Sequence, residues 1–399
     1  MLATEVFSDI ERDAQWERAA QLLDISPQFS RKLRVPEFEC VSHHALPGNQ
    51  AEADPLLYIA LNTGVFPTNI ASVLVHGNLT PHLIAQAAQD LQLEIALADL
   101  NCGSAAIGLK VRPAELKERE LWQLSRDCSP LVSSVLGPTR LLPVDISSTA
   151  CAIWLANNTY ARASLVMPVL SPELYCAQLW ASRAEAAAYL GGLALQEISK
   201  KLASATAIVL GSAPFALSSM RRLHDLGCRI VAVADESGAV INQNGLDVSV
   251  LLEHVKANGL LAEFADAEHA THAEALNCPA DILVITSQGE INDANAAKVS
   301  APIVVEGIAG ALSQNVCAAL DSRNITVIPA SLSRCVPLLS ESSATHLSSD
   351  ERESFINSRL AELWVELGIM RKRYGVPLRA ATLLVALQRL AHREFLLHP

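Results

Sequence analysis

Apolar and polar positions switch between two periods along this chain. Short apolar runs bounded by Gly, Pro, Asn or Asp predict strands at 53–61, 71–75, 206–210, 229–234, 282–285, 303–305 and 325–328. Stretches of helical period lie between them. They predict helices from Thr80 to about Leu93, from Pro113 through PAELKERELWQLSRDC, and over 146–160 behind Asp145. Thr80-Pro81 suits an N-cap followed by a first-turn proline. Further helices are predicted at 183–202, 245–258, 294–298 and 312–322, and residues 94–100 run on toward a loop at Asn101-Cys102-Gly103. After the polar break SESSATHLSSDERES the pattern is helical again, over 350–374 and 377–393. Strands alternating with helices beyond residue 206 imply a parallel sheet.

Residues 206–248 carry the sharpest chemical signal. A strand ends at Gly211, a helix with Phe215 and Met220 on its apolar side stops at Gly227, and a second strand closes on Asp235. An acid at that tip, about 20 residues past the first glycine, is where a dinucleotide-binding unit holds a ribose hydroxyl. The candidate cofactor residues are therefore Gly211, Ser212, Ala213 and Asp235. The turn is altered, however. A phosphate-binding turn needs G-x-G-x-x-G, and the chain has Gly211-Ser212-Ala213-Pro214-Phe215-Ala216. Ala213 adds a methyl group where a pyrophosphate approaches, Pro214 removes a backbone N–H, and Phe215 adds bulk. Each change opposes tight NAD or NADP binding, and none breaks a strand–helix–strand fold. A structural unit that binds nothing at this turn is the competing reading.

Composition narrows the partners. A chain of 399 residues suggests more than one domain, and the small aromatic share leaves cores of Ala, Leu, Val and Ile. A net charge of −12 without a basic run argues against nucleic acid and anionic membrane as partners. The N-terminal stretch is acidic and helical in pattern, with no leader signature, and no apolar run approaches 18 residues. The 9 cysteines are scattered, with no C-x-x-C pair, which fits reduced thiols in a cytoplasmic protein. His43-His44 and His269 with His272 lack a matching carboxylate or Cys, so no metal site is expected.

In segment order the chain resembles the Glu/Leu/Phe/Val dehydrogenase family, with glutamate dehydrogenases the most similar. The resemblance rests on VHGNLTPHLIAQAAQDLQLEIALADLNCGS (75–104), IGLKVRPAELKERELWQLSRD (107–127), RIVAVADESGAVINQNGLDV (229–248), ADILVITSQGEINDANAAKVSAPIVVEGIAG (280–310) and YGVPLRAATLLVALQRLA (374–391). It implies an α/β chain. An N-terminal α/β substrate and oligomerisation domain would cover 1–182, and a Rossmann-type parallel-sheet domain 183–345. C-terminal helices over 346–399 would return to the first domain. It also implies NAD(P)-dependent oxidative deamination of an L-amino acid, and a homo-oligomer, a hexamer in this family.

The resemblance assigns site positions that this chain fills with other residues. Family lysines that bind substrate fall at Ile70 and Glu94, and the lysine of a glycine-rich catalytic loop falls at Ala106. The general acid/base aspartate is kept as Asp145, which also suits a plain helix N-cap. On the cofactor side a threonine is replaced by Ala187, G-A-N-G reads Gly307-Ile308-Ala309-Gly310, and N-A-G-G reads Arg334-Cys335-Val336-Pro337. A carboxylate about 4 Å from a substrate carboxylate costs roughly 4 kcal/mol at an effective dielectric near 20, where a lysine gains as much. Lys110 lies four residues past Ala106, about 13 Å in an extended segment, and reads as a surface residue.

The expectation is a family homologue with an impaired site, regulatory or assembled with an active paralogue. Two alternatives stay open. One is an active amino-acid or amine dehydrogenase with a rebuilt pocket, for which Lys110, Arg140 or Arg183 would converge on Asp145. The other is a non-catalytic oligomeric scaffold.

Overall fold

A computed structural model describes residues 9–43, 56–62, 69–137, 139–143, 154–155, 158–159, 172–261, 264–265, 267–342 and 348–397. The chain divides into two compact units. One comprises residues 1–22 and 179–385, the other 23–178 and 386–399. These boundaries differ from the three expected segments: residues 346–385 belong with the nucleotide-type sheet, and only the last fourteen residues join the other unit.

The second unit holds α2 (Pro27–Arg34), α3 (Pro81–Leu97), α4 (Glu118–Leu136) and a five-stranded sheet. Its strands are β1 (Phe38–His43), β2 (Leu56–Asn62), β3 (Asn69–Val75), β4 (Gly103–Lys110) and β5 (Thr139–Pro143), in the order β1-β2-β4-β3-β5. α3 connects the parallel strands β3 and β4. Thr80 caps it by accepting from the Leu83 N–H at 3.2 Å, and Pro81 follows at the first turn, as the sequence predicts. One sheet face, with Leu57, Ile59, Val73, Ala105 and Ile107, packs on Leu124, Cys128 and Val132 of α4.

Gly103-Ser104-Ala105-Ala106-Ile107-Gly108, expected as a glycine-rich loop, is strand β4. Every residue from Gly103 to Leu109 is buried, so apolar packing on both faces selects strand over loop. Gly108 serves close packing: a Cβ there would lie 2.4 Å from Ile84 of α3. The predicted helix at Pro113 begins as one 3-10 turn, and α4 proper starts at Glu118.

The first unit holds a seven-stranded sheet of order β12-β11-β10-β6-β7-β8-β9. The strands are β6 (Thr206–Leu210), β7 (Arg229–Asp235), β8 (Gly238–Ile241), β9 (Glu268–Ala270), β10 (Ile282–Ile285), β11 (Ile303–Glu306) and β12 (Thr326–Ile328). β12, β11, β10, β6 and β7 run parallel, as the alternating pattern implies, and β8 and β9 add an antiparallel edge. β6 to β7 steps one way across the sheet and β10 lies on the other side of β6. That reversal opens a crevice at the carboxyl ends of β6 and β10, where doubly wound folds bind ligands.

The helices of this unit are α1 (Asp9–Leu22), α5 (Pro172–Glu197), α6 (Pro214–Asp225), α7 (Val248–Asn258), α8 (His272–Asn277), α9 (Gln314–Ser322), α10 (Ala330–Arg334), α11 (Val336–Ser342) and α12 (Ser349–Tyr374). α13 (Leu378–Leu397) contributes to both units, as does α5, whose residues 172–178 belong to the other one. Among the described residues no helix is long and apolar enough to cross a membrane.

Candidate functional site

The sheet of the second unit brings two of the expected lysine positions to one face. Strand register pairs Asn62 with Ser104, Ser104 with Ile70, Ala60 with Ala106, and Ala106 with Ser72. Side chains alternate along a strand, so Asn62, Ser104, Ile70, Ala106 and Ser72 share the face opposite α4. Arg140 stands beside Ile70 in the same register. Ala106 is 0% exposed and Ile70 is 8% exposed, so neither position offers a cation or an open surface.

Glu94 belongs to the same end of this face. Ile84 of α3 lies against Gly108. Ten helix residues from Ile84 to Glu94 descend about 15 Å, and four strand residues from Gly108 back to Ser104 cover about 13 Å. Glu94 therefore sits level with Ser104, on the flank of the buried Ile84, Ala88, Leu91, Ile95 stripe, and is itself buried. The end of α3 is held firmly. Arg389 donates to the carbonyls of Ala96 and Leu97, and Arg393 to that of Leu100 and to the Asp99 carboxylate. Cations at a helix C-terminus complement its dipole and its free carbonyls.

This face is polar without being satisfied. Both amide atoms of Asn62 and the hydroxyls of Ser72 and Ser104 are buried and make no hydrogen bond. Orphaned buried polar groups cost about 1–3 kcal/mol each and are rare in folded proteins. No motif marks the three, because each is ordinary in sequence and they meet only through strand register.

In the first unit the altered turn has a structural occupation. Gly211 has φ +111°, and a Cβ there would lie 2.0 Å from the Thr286 hydroxyl, which donates to the Leu210 carbonyl at 2.7 Å. Thr286 thus explains that glycine by packing alone. Ala213 is the N-cap of α6 without a side-chain bond, and Pro214 opens the helix. Phe215 turns inward, 2% exposed. Its ring packs so closely on Gly307 that a Cβ there would meet it at 2.4 Å. Arg183 stacks over the rings of Trp180 and Phe215, 5.0 Å from each centroid, and donates to the Gly307 carbonyl. Trp180 and Phe215 meet edge to face. Arg183 is thus engaged within the first unit, and Asp145, its expected partner, lies outside the described residues.

Asp235, the candidate ribose ligand, is held by Ser237 of its own turn and by Leu261 beyond α7. Its carboxylate accepts from the Ser237 N–H at 2.8 Å, the Ser237 hydroxyl at 2.5 Å and the Leu261 N–H at 2.7 Å, and it is 2% exposed. Asp235→Ala is expected to cost about 2–3 kcal/mol, since it strands a buried N–H and removes charge-assisted bonds. Asp235→Asn should cost less. Urea unfolding of both variants checks this; equal, small losses would show that the carboxylate is not structural.

A family model described as "Glutamate/Leucine/Phenylalanine/Valine dehydrogenase" matches residues 182–394, more than half of the chain. The chain belongs to this family. It is 23% identical over 396 residues to the glutamate dehydrogenase of Thermotoga maritima, covering 95% of each chain. It is 26% identical over 284 residues to the cryptic catabolic NAD-specific glutamate dehydrogenase of Bacillus subtilis, covering 67% of this chain and 65% of the relative. Related family members include an NADP-specific enzyme. Among solved structures, a chain of the hetero-hexameric glutamate dehydrogenase of Thermus thermophilus in a leucine-bound form matches with TM-score 0.80 and 22% identity, over 94% of each chain. These likenesses agree with the α/β fold described above.

Proposed function

We propose that this family member is catalytically impaired and serves as a regulatory or structural subunit, in a homo-oligomer or beside an active paralogue. The observation that supports it best is the face bearing Ile70 and Ala106, with Glu94 level with Ser104. The family's substrate and catalytic lysines correspond to these three residues. One carries a negative charge and two are apolar, so a substrate carboxylate finds repulsion instead of ion pairs. Without the loop amine at position 106, water activation is lost as well.

The cofactor side agrees. Phe215 packs against Gly307 where the crevice opens, Pro214 withdraws one N–H from the turn, and Asp235 is engaged by Ser237 and Leu261. The residues present do not fit a dinucleotide. Asp145 keeps the family aspartate, while the lysine positions hold Ile70, Glu94 and Ala106. The hetero-hexameric assembly of the Thermus relative is a precedent for a subunit of this kind.

Thermal-shift titration with NAD, NADH, NADP and NADPH tests the reading. Specific binding at 100-fold over Kd stabilises by about 2.7 kcal/mol. No shift is expected with any of the four. A saturable shift with one of them would favour the second reading, an active dehydrogenase with a rebuilt pocket, which the unsatisfied Asn62, Ser72 and Ser104 side chains keep in play.

A further inference from the structure

We propose that a cavity at the first turns of α4 binds a small planar aromatic acid, with its ring against Trp122 and Trp154 and its carboxylate on Arg119. α4 covers one face of the five-stranded sheet, and Ile70 and Ala106 lie on the other. The proposal therefore does not depend on the functional reading above.

The cavity has a volume of about 390 Å³ and is lined by Glu118, Arg119 and Trp122 of α4 and by Trp154. Small-molecule sites span about 300–1,000 Å³. Glu118 and Arg119 stand four and three residues before Trp122, so the three share one side of the helix. Helical side chains lean toward the N-terminus, which lays the Trp122 indole over the turn bearing Glu118 and Arg119. Arg126, one turn later, leans back onto the same ring. Its guanidinium lies 5.3 Å from the ring centroid and pairs with Asp127 at 3.6 Å. Trp154 arrives from a separate segment. Its neighbour Leu155 anchors it, 0% exposed in the core with Leu124, Cys128 and Val132 of α4.

Folding does not account for two indoles here. The chain has 5 tryptophans. Trp16 and Trp180 are buried in the core, and the Trp364 N–H donates to Glu197 at 2.9 Å. Trp122 is 42% exposed on α4, where a polar residue would serve the helix as well. A lone exposed apolar side chain is ordinary, whereas two indoles lining one cavity with a few charged groups have the make-up of a ligand site.

The lining selects the ligand. Indoles attract another ring by offset or edge-to-face packing, beyond the area they bury. Arg119 is exposed and makes no ion pair among the described residues. Its planar fork is open to a carboxylate through two parallel N–H···O bonds. Glu118 acts the other way, since its charge repels an acid and attracts an amine. An amine, however, meets no fork of matching shape there, and the first turn of α4 adds positive potential at the same mouth. The acid is favoured, with Glu118 holding its affinity below what Arg119 alone would give.

Calorimetric and thermal-shift titrations of the full chain test this. Benzoate and phenylacetate are the probes, with cyclohexanecarboxylate and benzylamine as contrasts. Saturable binding of the aromatic acids is expected, with both contrasts weaker by about tenfold or more. Arg119→Gln and Trp122→Leu should each weaken the acids by about tenfold or more, and Glu118→Gln should tighten them. All three positions are exposed, so the free variants should keep the melting temperature of the natural chain. No saturable response to either acid overturns the proposal. So does an unchanged response in Arg119→Gln or Trp122→Leu, tighter binding of benzylamine than of phenylacetate, or weaker acid binding in Glu118→Gln.

Discussion

Replacing Arg379 with leucine is expected to cost about 3–5 kcal/mol of folding stability, the range for breaking a buried ion pair from one side. Glu306 stands at the carboxyl end of β11 with its side chain 1% exposed, and its partner Arg379, near the start of α13, is 20% exposed. The Glu306 carboxylate also accepts from the Leu312 N–H at 3.2 Å. Burial pushes the Glu306 carboxyl above the usual range, and Arg379 pulls it back only in part. Cys317 and Asp321 face the same guanidinium, and burial pushes the Cys317 thiol up to about 12. The pH dependence has a definite sign. A carboxyl whose folded value is raised contributes stability that is present below its unfolded value and lost as pH rises through the folded one. Without Arg379 the folded value rises further, so the deficit of Arg379→Leu should grow as pH rises above the ordinary carboxylate range. Urea unfolding as a function of pH measures it. A deficit independent of pH would mean that Arg379 acts by packing its stem and not by its charge.

Much of the first unit was legible because its signals are local. β6 and β10 fall on the predicted residues, and Gly227 follows α6 where the pattern stops. The later helices hold their places because caps mark them: Ser348 with Glu351 opens α12, and Gly375 at φ +62° ends it behind Arg371, Lys372 and Arg373. The edge strands β8 and β9 are too short to show a period, and β1 alternates only partly, with Phe38 and Val41 exposed. The resemblance places a glycine-rich loop at β4, whereas burial on both faces sets a strand there.

The groupings around the substituted positions are set by contacts between segments far apart in the chain. The direction of Phe215 toward Gly307 links α6 to the turn after β11, and the Asn62, Ser104 and Ser72 grouping depends on three strands separated by loops. Such contacts are set by register and packing, which a single sequence does not display.

A coupled assay of the natural chain with L-glutamate and NAD or NADP is expected to show turnover about 10²–10⁴-fold or more below ordinary enzymes, the share that positioned proton transfer supplies. The deficit compounds, because substrate binding is weakened as well. On the proposed reading, Glu94 at a lysine position would exchange an attraction for a repulsion of several kcal/mol, and ~1.4 kcal/mol is tenfold in affinity. Glu94→Lys alone should therefore raise affinity for 2-oxoglutarate by at least tenfold while leaving turnover undetectable. Adding Ala106→Lys should not restore activity either. Ala106 is 0% exposed between Ala60 and Ser72, so a lysine there meets packed strand and a desolvation cost. The expected signature is a double variant of lower melting temperature without turnover. Turnover near 10 s⁻¹, a median value for enzymes, from the natural chain would refute the impaired reading outright. Recovery of turnover in the double variant would show instead that the face opens readily and that only the missing amines keep it silent.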